Sequence, residues 1–203
     1  MVPFADLPAQ YRALKPEIDA AVGRVLENAQ FILGPAVAAF ERDFAAFCHT
    51  SDAVGVNSGT SALHLALLAA GVKPGDEVIT VPFTFVATVA AIEYANARPV
   101  LVGVEPEFLT MDPAKLEATI PPRTKAVIPV HLFGQLADMA SIHALGRSHG
   151  IRVLEDAAQA HGATRGPWRA GSAADAAAFS FYPTKNLGAI GEGGAVTSHD
   201  ESV

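Results

Sequence analysis

Residues 179–196 read FSFYPTKNLGAIGEGGAV and hold a single lysine, Lys185, between an aromatic apolar run and a loop with four glycines. A lysine in a loop is most often a solvated surface charge. Lys185, however, follows a strand-like run that contains Ser180, and open α/β sheets bind ligands in the loops at the carboxyl ends of their strands. This placement makes Lys185 a candidate functional residue and ties it to the fold of the whole chain.

The rest of the chain alternates between helical and strand patterns. Apolar residues at helical spacing predict helices at residues 14–29, 36–48, 58–71, 84–95, 112–120 and 138–150. Short apolar runs predict strands at residues 52–57, 76–81, 98–104, 125–130, 151–156, 176–181 and 194–198. Nearly continuous apolar strands that alternate with helices are typical of a mostly parallel sheet with helices on both faces, so we predict an α/β fold.

The composition is that of a globular protein, with 50% hydrophobic and 17% charged residues. The net charge is −7 and lysines and arginines are not clustered, which argues against binding to nucleic acid. No uncharged run reaches the roughly 18–20 apolar residues of a membrane span, and residues 1–22 lack the apolar core of a signal peptide. Cys48 is the single cysteine, so no internal disulfide can form, and we expect a cytoplasmic protein.

Residues 57–61, NSGTS, connect a predicted strand to a predicted helix. Ser and Thr favour helix N-caps, so a simple cap is the first interpretation. The same segment places hydroxyls and unpaired N–H groups at the positive end of the helix dipole, which also suits an anion such as phosphate. Both interpretations stay open from this segment alone.

Asp156 ends another predicted strand, within RVLEDAAQAHGA at residues 152–163. Its carboxylate could cap a helix, pair with a cation or bind a metal. His161 follows, yet no second histidine stands at a metal-ligand spacing, so we expect no metal site. Phe83 and Phe85 occupy a third strand-to-helix junction, where a ring either packs in the core or lies against a planar ligand.

The glycines of residues 188–194 fit neither G-x-G-x-x-G nor G-x-x-x-x-G-K-[ST], which argues against Rossmann and P-loop sites. No G-x-S-x-G occurs, so a hydrolase nucleophile elbow is also unsupported. What remains is an ordered set: an anion-type helix start, an aromatic residue, a strand-end aspartate and a lysine. Pyridoxal phosphate (PLP) needs a phosphate site, an aromatic face, a carboxylate and a Schiff-base lysine, so the set predicts a PLP site.

Four segments resemble the DegT/DnrJ/StrS aminotransferases, PLP enzymes that aminate keto groups on nucleotide-linked sugars. They are NSGTSALHLAL (57–67), PFTFVAT (82–88), EDAAQAHGA (155–163) and SFYPTKNLGAIGEGGA (180–195). Residues 3–22 and 31–47 resemble the family's usual start, so the resemblance covers essentially the whole chain. It implies an aspartate-aminotransferase-like large domain, which is fold type I among PLP enzymes.

The resemblance implies a role for each candidate residue. Lys185 would form the Schiff base and carry the proton between substrate and cofactor. Asp156 would pair with the pyridine nitrogen, with Gln159 near the ring. Phe85 would stack on the ring, and Asn186 would help to orient the region. The residues implied for the phosphate and the close turn beside it are Gly59, Thr60, Ser61 and Ser180.

Some relatives carry histidine in place of this lysine and carry out sugar dehydration or deoxygenation, so Lys185 implies transamination. The implied reaction moves an amino group, usually from L-glutamate, to a keto-sugar nucleotide in amino-sugar, polysaccharide or antibiotic biosynthesis. The alternative from a different class is a truncated, non-catalytic relative that acts as a binding or regulatory module.

Family members form homodimers and continue into a C-terminal small domain after the point where this chain ends. We therefore expect residues 1–203 to be a single PLP-binding large domain, incomplete at its end and without the small domain. The N-terminal helical segment, about residues 1–35, is expected to pack on it.

Overall fold

The computed structural model describes residues 5–200 as alternating helices and strands. The helices are α1 (Leu7–Asn28), α2 (Pro35–Cys48), α3 (Gly59–Ala69), α4 (Val86–Tyr94), α5 (Pro113–Thr119) and α6 (Met139–His149). The strands are β1 (Asp52–Val56), β2 (Glu77–Thr80), β3 (Arg98–Leu101), β4 (Thr124–Val127), β5 (Arg152–Asp156), β6 (Thr164–Arg165), β7 (Trp168–Arg169), β8 (Ala176–Ser180) and β9 (Gly194–Ser198). Each predicted helix and strand is present, and the small hairpin β6–β7 is additional.

Seven of the strands form one sheet in the order β1-β9-β8-β5-β4-β2-β3. The pairs from β8 through β5, β4 and β2 to β3 are parallel. β9 lies antiparallel between β1 and β8, with Val196 opposite both Val54 and Ala178. The predicted mostly parallel sheet is confirmed, with one strand reversed inside it.

Helices cover both faces of the sheet, as predicted. Successive side chains of a strand point to opposite faces, so each strand contributes apolar residues to both. Val78 and Ala178 pack in the core that includes α3 and α4. Ile79, next to Val78, belongs to the opposite core with α5 and α6. Phe179, next to Ala178, packs with Phe44 of α2 on that same opposite side. Burial of such large apolar side chains contributes about 1.5–3 kcal/mol each, and two covered faces explain the continuous apolar strands.

Helix ends follow ordinary capping chemistry. The side chains of Asp112 and Asp138 accept backbone N–H groups at the starts of α5 and α6, and Ser58 does so at α3. Gly150 ends α6 in the left-handed conformation, and Gly71 follows α3 with φ +78°, a conformation that favours glycine. These caps fix the points at which the loops leave the helices.

α1 lies at the border of the fold and has no buried residue. Tyr11 and Leu14 on this helix line a groove whose other wall is residues 187–191 of the glycine loop. The assignment of residues 1–203 to one domain, with about residues 1–35 packed on it, stays a prediction, and residues 1–4 and 201–203 lie outside the described part. Across residues 5–200, no helix combines the length and apolar character needed to cross a membrane.

Candidate active site

A cavity of about 490 Å³ lies at the carboxyl ends of the parallel strands. Its walls come from the loops after β1, β2, β4, β5 and β8, which the sheet brings together from distant parts of the chain. This is the edge at which α/β sheets bind ligands. The predicted site residues that line the cavity are Gly59, Thr60, Phe85, Asp156, Gln159, Ser180 and Lys185.

The start of α3 forms one wall of the cavity. Ser58 caps this helix, because its hydroxyl oxygen accepts the Ser61 N–H at 3.1 Å. The Ser58 hydroxyl also donates to the Ser61 hydroxyl at 3.1 Å, so Ser61 belongs to the cap and does not line the cavity. Gly59 and Thr60 occupy the first turn, where N–H groups have no intrahelical partner and the helix dipole favours an anion.

Two glycines bring this helix start against the sheet. A Cβ on Gly59 would lie 2.6 Å from Ser180 Cβ, closer than such carbons approach in proteins. The φ of Gly59 is not positive, so space, and not turn conformation, requires glycine here. A Cβ on Gly194 of β9 would likewise overlap the Ser58 carbonyl group. The two close approaches place the Ser180 hydroxyl beside the first turn of α3, where both can serve one anion.

Asp156 lies at the end of β5 with 6% of its surface exposed. The Thr88 hydroxyl donates to its Oδ2 at 2.6 Å, and the Ala158 N–H donates to its Oδ1 at 3.2 Å. Burial raises the pKa of the Asp156 carboxyl, whereas these hydrogen bonds and the charge of Lys185 oppose the rise. A carboxylate buried and held in this way favours a cationic partner in the cavity.

Lys185 reaches the cavity from a tight turn. Its N–H donates to the Tyr182 carbonyl at 2.8 Å, and Pro183 occupies the second turn position, which suits the fixed φ of proline. The chain then doubles back, since a Cβ on Gly188 would lie 2.5 Å from the Pro183 carbonyl oxygen. Gly191, with φ +112°, continues the bend in a conformation that favours glycine. The glycines therefore keep the loop folded against the turn that carries Lys185.

Gln159 and Phe85 complete the walls. Gln159 Oε1 accepts the Phe133 N–H at 2.9 Å, which leaves the Gln159 amide NH₂ as its donor group at the cavity. Phe85 is 64% exposed at the start of α4 and lines the cavity, so its ring offers an aromatic face there.

Asn186 lies outside the cavity lining and contacts His161 instead. Its Nδ2 donates to the His161 carbonyl at 3.3 Å, and its Oδ1 lies 2.8 Å from His161 Nδ1. Because the amide oxygen of Asn186 can only accept, His161 Nδ1 carries the proton. Asn186 thereby fastens the segment after Lys185 to the loop after β5.

Several residues of the site were not among those predicted. Thr84, His131, Tyr182 and Glu192 line the cavity as well. Thr88 is fully buried and reaches Asp156 from α4. The signal for Thr84 and Thr88 was their four-residue spacing at a strand-to-helix junction, which is too common to single out a site.

His131 belongs to a buried pair with Glu155, the residue before Asp156. The Ala137 N–H donates to His131 Nδ1 at 3.2 Å, so Nε2 carries the proton and donates to Glu155 Oε2 at 2.8 Å. Glu155 also accepts the N–H groups of Gly171 at 3.1 Å and Ala173 at 2.9 Å. The carboxylates of Glu155 and Asp156 therefore serve opposite faces of the sheet, one in the core and one in the cavity.

The side chains around the cavity supply the groups that PLP requires. The helix start and Ser180 suit its phosphate, Asp156 suits a protonated ring nitrogen, Phe85 offers an aromatic face, and Lys185 offers an amine. Within residues 5–200, no three His, Cys, Asp or Glu side chains come together to hold a metal ion. The fold and the site together match the PLP-binding part of fold type I proteins.

The chain belongs to the DegT/DnrJ/EryC1/StrS aminotransferase family, whose family model matches residues 12–203. The dTDP-3-amino-3,4,6-trideoxy-α-D-glucose transaminase of Streptomyces venezuelae is 50% identical over 199 residues, covering 98% of this chain and 52% of that enzyme. The crystal structure of S. venezuelae DesV in complex with a ketimine intermediate matches with a TM-score of 0.97 at 49% identity, over 99% of this chain and 54% of that one.

The structure of NtdA from Bacillus subtilis with bound cofactor PMP matches with a TM-score of 0.91 at 33% identity, over 99% of this chain and 46% of that one. The chain thus spans about half the length of these relatives. The predicted family, fold type and PLP cofactor are confirmed by these matches.

Proposed function

We propose that this chain carries the cofactor-binding site of an aminotransferase that moves an amino group from L-glutamate to a keto-sugar nucleotide. The observation that carries the proposal is the position of Lys185 and Asp156 on one cavity, next to Ser180 and the start of α3. The start of α3 and Ser180 bind the phosphate, and the Asp156 carboxylate pairs with the protonated ring nitrogen. The roles of Gly59, Thr60, Ser61, Phe85, Gln159 and Asn186 are proposed as the family resemblance implies.

Bound PLP supplies an electron-withdrawing ring that stabilises negative charge at the substrate carbon. Lys185 Nζ, in its neutral form, would take the proton from that carbon and deliver it to the cofactor. Asp156 remains ionised beside the cationic ring, and this pairing offsets the cost of its burial. Ser180 and the first turn of α3 hold the phosphate end, which fixes the distance from the anion site to Lys185.

The proposed acceptor rests on the relatives, because the transaminase of S. venezuelae is named for a dTDP-linked amino sugar. The proposed donor, L-glutamate, rests on the family resemblance alone. A homodimer is proposed as well, and exposed apolar side chains support an interface: Ile32 and Leu33 are each 86% exposed. The single buried cysteine fits a reducing compartment, so the proposed location is the cytoplasm.

Cofactor capture tests the site directly. The purified chain is mixed with PLP, and its visible absorption is recorded before and after borohydride treatment, followed by peptide mass mapping. We expect a visible band that reduction removes, with the cofactor fixed covalently at Lys185. Lys185→Arg should show no such band and no turnover, because a guanidinium can neither form the bond nor act as a base at neutral pH.

Turnover is a separate measurement, with L-glutamate, a dTDP-linked 3-keto sugar and detection of 2-oxoglutarate. A chain that captures PLP at Lys185 but does not turn over would match the alternative of a binding or regulatory module. A chain without a reducible band would overturn the proposed cofactor site.

A further inference from the structure

Two threonine hydroxyl groups form a hydrogen-bonded row that begins at the cavity wall and ends at the Asp156 carboxylate. Thr84 lines the cavity, and its Oγ1 lies 2.7 Å from Thr88 Oγ1. Thr88 is completely buried on α4, and its Oγ1 lies 2.6 Å from Asp156 Oδ2. Three side chains from a loop, a helix and a strand are therefore joined in a row, and the last one is the carboxylate proposed to hold the cofactor ring.

The charge of Asp156 sets the direction of the hydrogen bonds in this row. Each threonine hydroxyl has one proton to donate. When Asp156 is ionised it can only accept, so Thr88 donates to Asp156 and Thr84 must donate to Thr88. When Asp156 carries a proton, the row can reverse, with Asp156 donating to Thr88 and Thr88 to Thr84. The row is hydrogen-bonded in both states, but only in the ionised state does the hydrogen bond from Thr88 end on a charged group.

We propose that Thr88, supported by Thr84, is a positioning residue that keeps Asp156 ionised and aimed at the ring nitrogen of the cofactor. This inference rests on the proposed cofactor site and adds a function for two residues outside the set implied by the family resemblance. A hydrogen bond to a charged group stabilises it more than one between neutral groups, and more so where water is excluded. Asp156 has only one other donor, the Ala158 N–H, so the loss of Thr88 would leave Oδ2 without a protein partner among the described residues.

The other titratable groups at the cavity are distinct from this row. They are His131, Tyr182, Lys185 and Glu192. The positive charge of Lys185 also favours the ionised form of Asp156, so the threonines act in addition to it. A substitution of Thr88 does not change the charge of Lys185, which isolates the contribution of the Thr88 hydroxyl.

The first measurement uses the cofactor-free chain, with ¹³C-labelled aspartate and an NMR titration of the Asp156 carboxyl. Thr88→Val replaces the hydroxyl by a methyl group of similar size. We expect its titration midpoint at higher pH than in the parent chain, with the ratio of neutral to ionised carboxyl raised about tenfold or more at a given pH. Thr88→Ser should restore the parent titration, and Thr84→Val should shift it in the same direction by less.

The second measurement uses the chain loaded with PLP labelled with ¹⁵N at the ring nitrogen. Thr88→Val should move the ring-nitrogen signal toward that of unprotonated pyridine and weaken PLP binding roughly ten- to a hundred-fold. Thr80→Val is the matched control, because Thr80 is also fully buried but its hydroxyl donates to the Ile128 carbonyl at 3.0 Å. It should leave both the carboxyl titration and the ring-nitrogen signal unchanged.

An unchanged Asp156 titration in folded Thr88→Val would overturn the inference. If Thr88→Val does not fold, Thr84→Val decides: a parent-like titration in that variant overturns the inference, and a shifted one supports it. Failure of the parent chain to capture PLP would count against the proposed function instead, since the titration of the cofactor-free chain does not depend on the cofactor.

Discussion

Gly59 and Ser180 approach each other so closely that no side chain fits between them. A Cβ at residue 59 would lie 2.6 Å from Ser180 Cβ and 3.2 Å from Ser180 Oγ. The contact joins the first turn of α3 to the end of β8, the two elements proposed to share the phosphate. The width of the proposed anion site therefore depends on the absence of a methyl group at residue 59.

Gly59→Ala should force these two elements apart. We expect a loss of roughly 1–3 kcal/mol in the free energy of unfolding, because the added carbon meets a short side chain on a central strand that cannot turn away. Urea denaturation measures this, provided the m-value stays constant. Gly23→Ala is the matched control: it lies in α1 with open space around its Cβ position, so the exchange should stabilise by about 0.5–1 kcal/mol. Equal midpoints for Gly59→Ala and the parent would contradict the steric reading.

Glu155→Gln should destabilise the chain through its hydrogen bonds. Glu155 is fully buried and accepts from His131, Gly171 and Ala173. A glutamine has one accepting oxygen, so at least one donor would face an NH₂ group at a cost of about 1–3 kcal/mol. Glu117→Gln on the exposed side of α5 should change the unfolding free energy by less than about 0.5 kcal/mol. Similar urea midpoints for Glu155→Gln and Glu117→Gln would contradict this prediction.

His161 should make the chain less stable as the pH falls. Burial and the charge of Lys185 lower the pKa of His161 below its ordinary value of 6.5, against the opposing hydrogen bond with Asn186. The unfolded chain then binds a proton near pH 6.5 that the folded chain does not yet bind, so stability rises with pH. Its contribution is complete above pH 6.5 and is lost from there down to the folded pKa.

The measurement is the free energy of unfolding between pH 7 and pH 5, together with the NMR titration of His161. The histidine midpoint should lie below 6.5. His161→Gln keeps an amide donor for Asn186 but cannot titrate, so its stability curve should be shallower over the same range. Parallel curves for the two chains would refute this account of the pH dependence.

Cys48 should resist thiol reagents as long as the chain is folded. Burial, reinforced by the negative charge of Glu155 and opposed by Arg169, raises the pKa of the Cys48 thiol to about 12. The thiolate is the reactive form. At pH 8 the Cys48 thiol is protonated as well as buried, so a reagent meets neither an accessible nor an ionised sulfur. We expect no labelling in native buffer and complete labelling in urea, with a rate that follows unfolding. Prompt stoichiometric labelling of the native chain would contradict the buried position.

The order of helices and strands could be predicted because each strand is a continuous apolar run with a helix after it. The direction of β9 could not be predicted, because the residues GAVTS would form a strand equally well parallel or antiparallel to β8. The hairpin β6–β7 has two residues in each strand, too few for any period.

At the candidate site, Asp156 and Lys185 stood out because they follow strands, where ligands are expected. Thr88 carried no such signal, because its partner Asp156 is 68 residues away and only the fold brings them together. His131 carried no signal for the same reason, since its hydrogen bond to Glu155 connects residues that only the sheet brings together. Ser61 and Asn186 show the converse: motif position alone does not tell whether a side chain faces a cavity or the residue beside it.

The pairing of β1 with β9 leaves β1 without its strand partner during much of synthesis on the ribosome. β1 ends at Val56, and its one strand partner within residues 5–200 is β9, which begins at Gly194. At roughly 5–20 residues per second, synthesis leaves β1 without a partner for on the order of ten seconds. During that interval the first turn of α3 has no Ser180 to meet, and an open strand edge is exposed to other chains. The proposed anion site therefore cannot form before β9 has been synthesised, and we expect cofactor capture to follow that step.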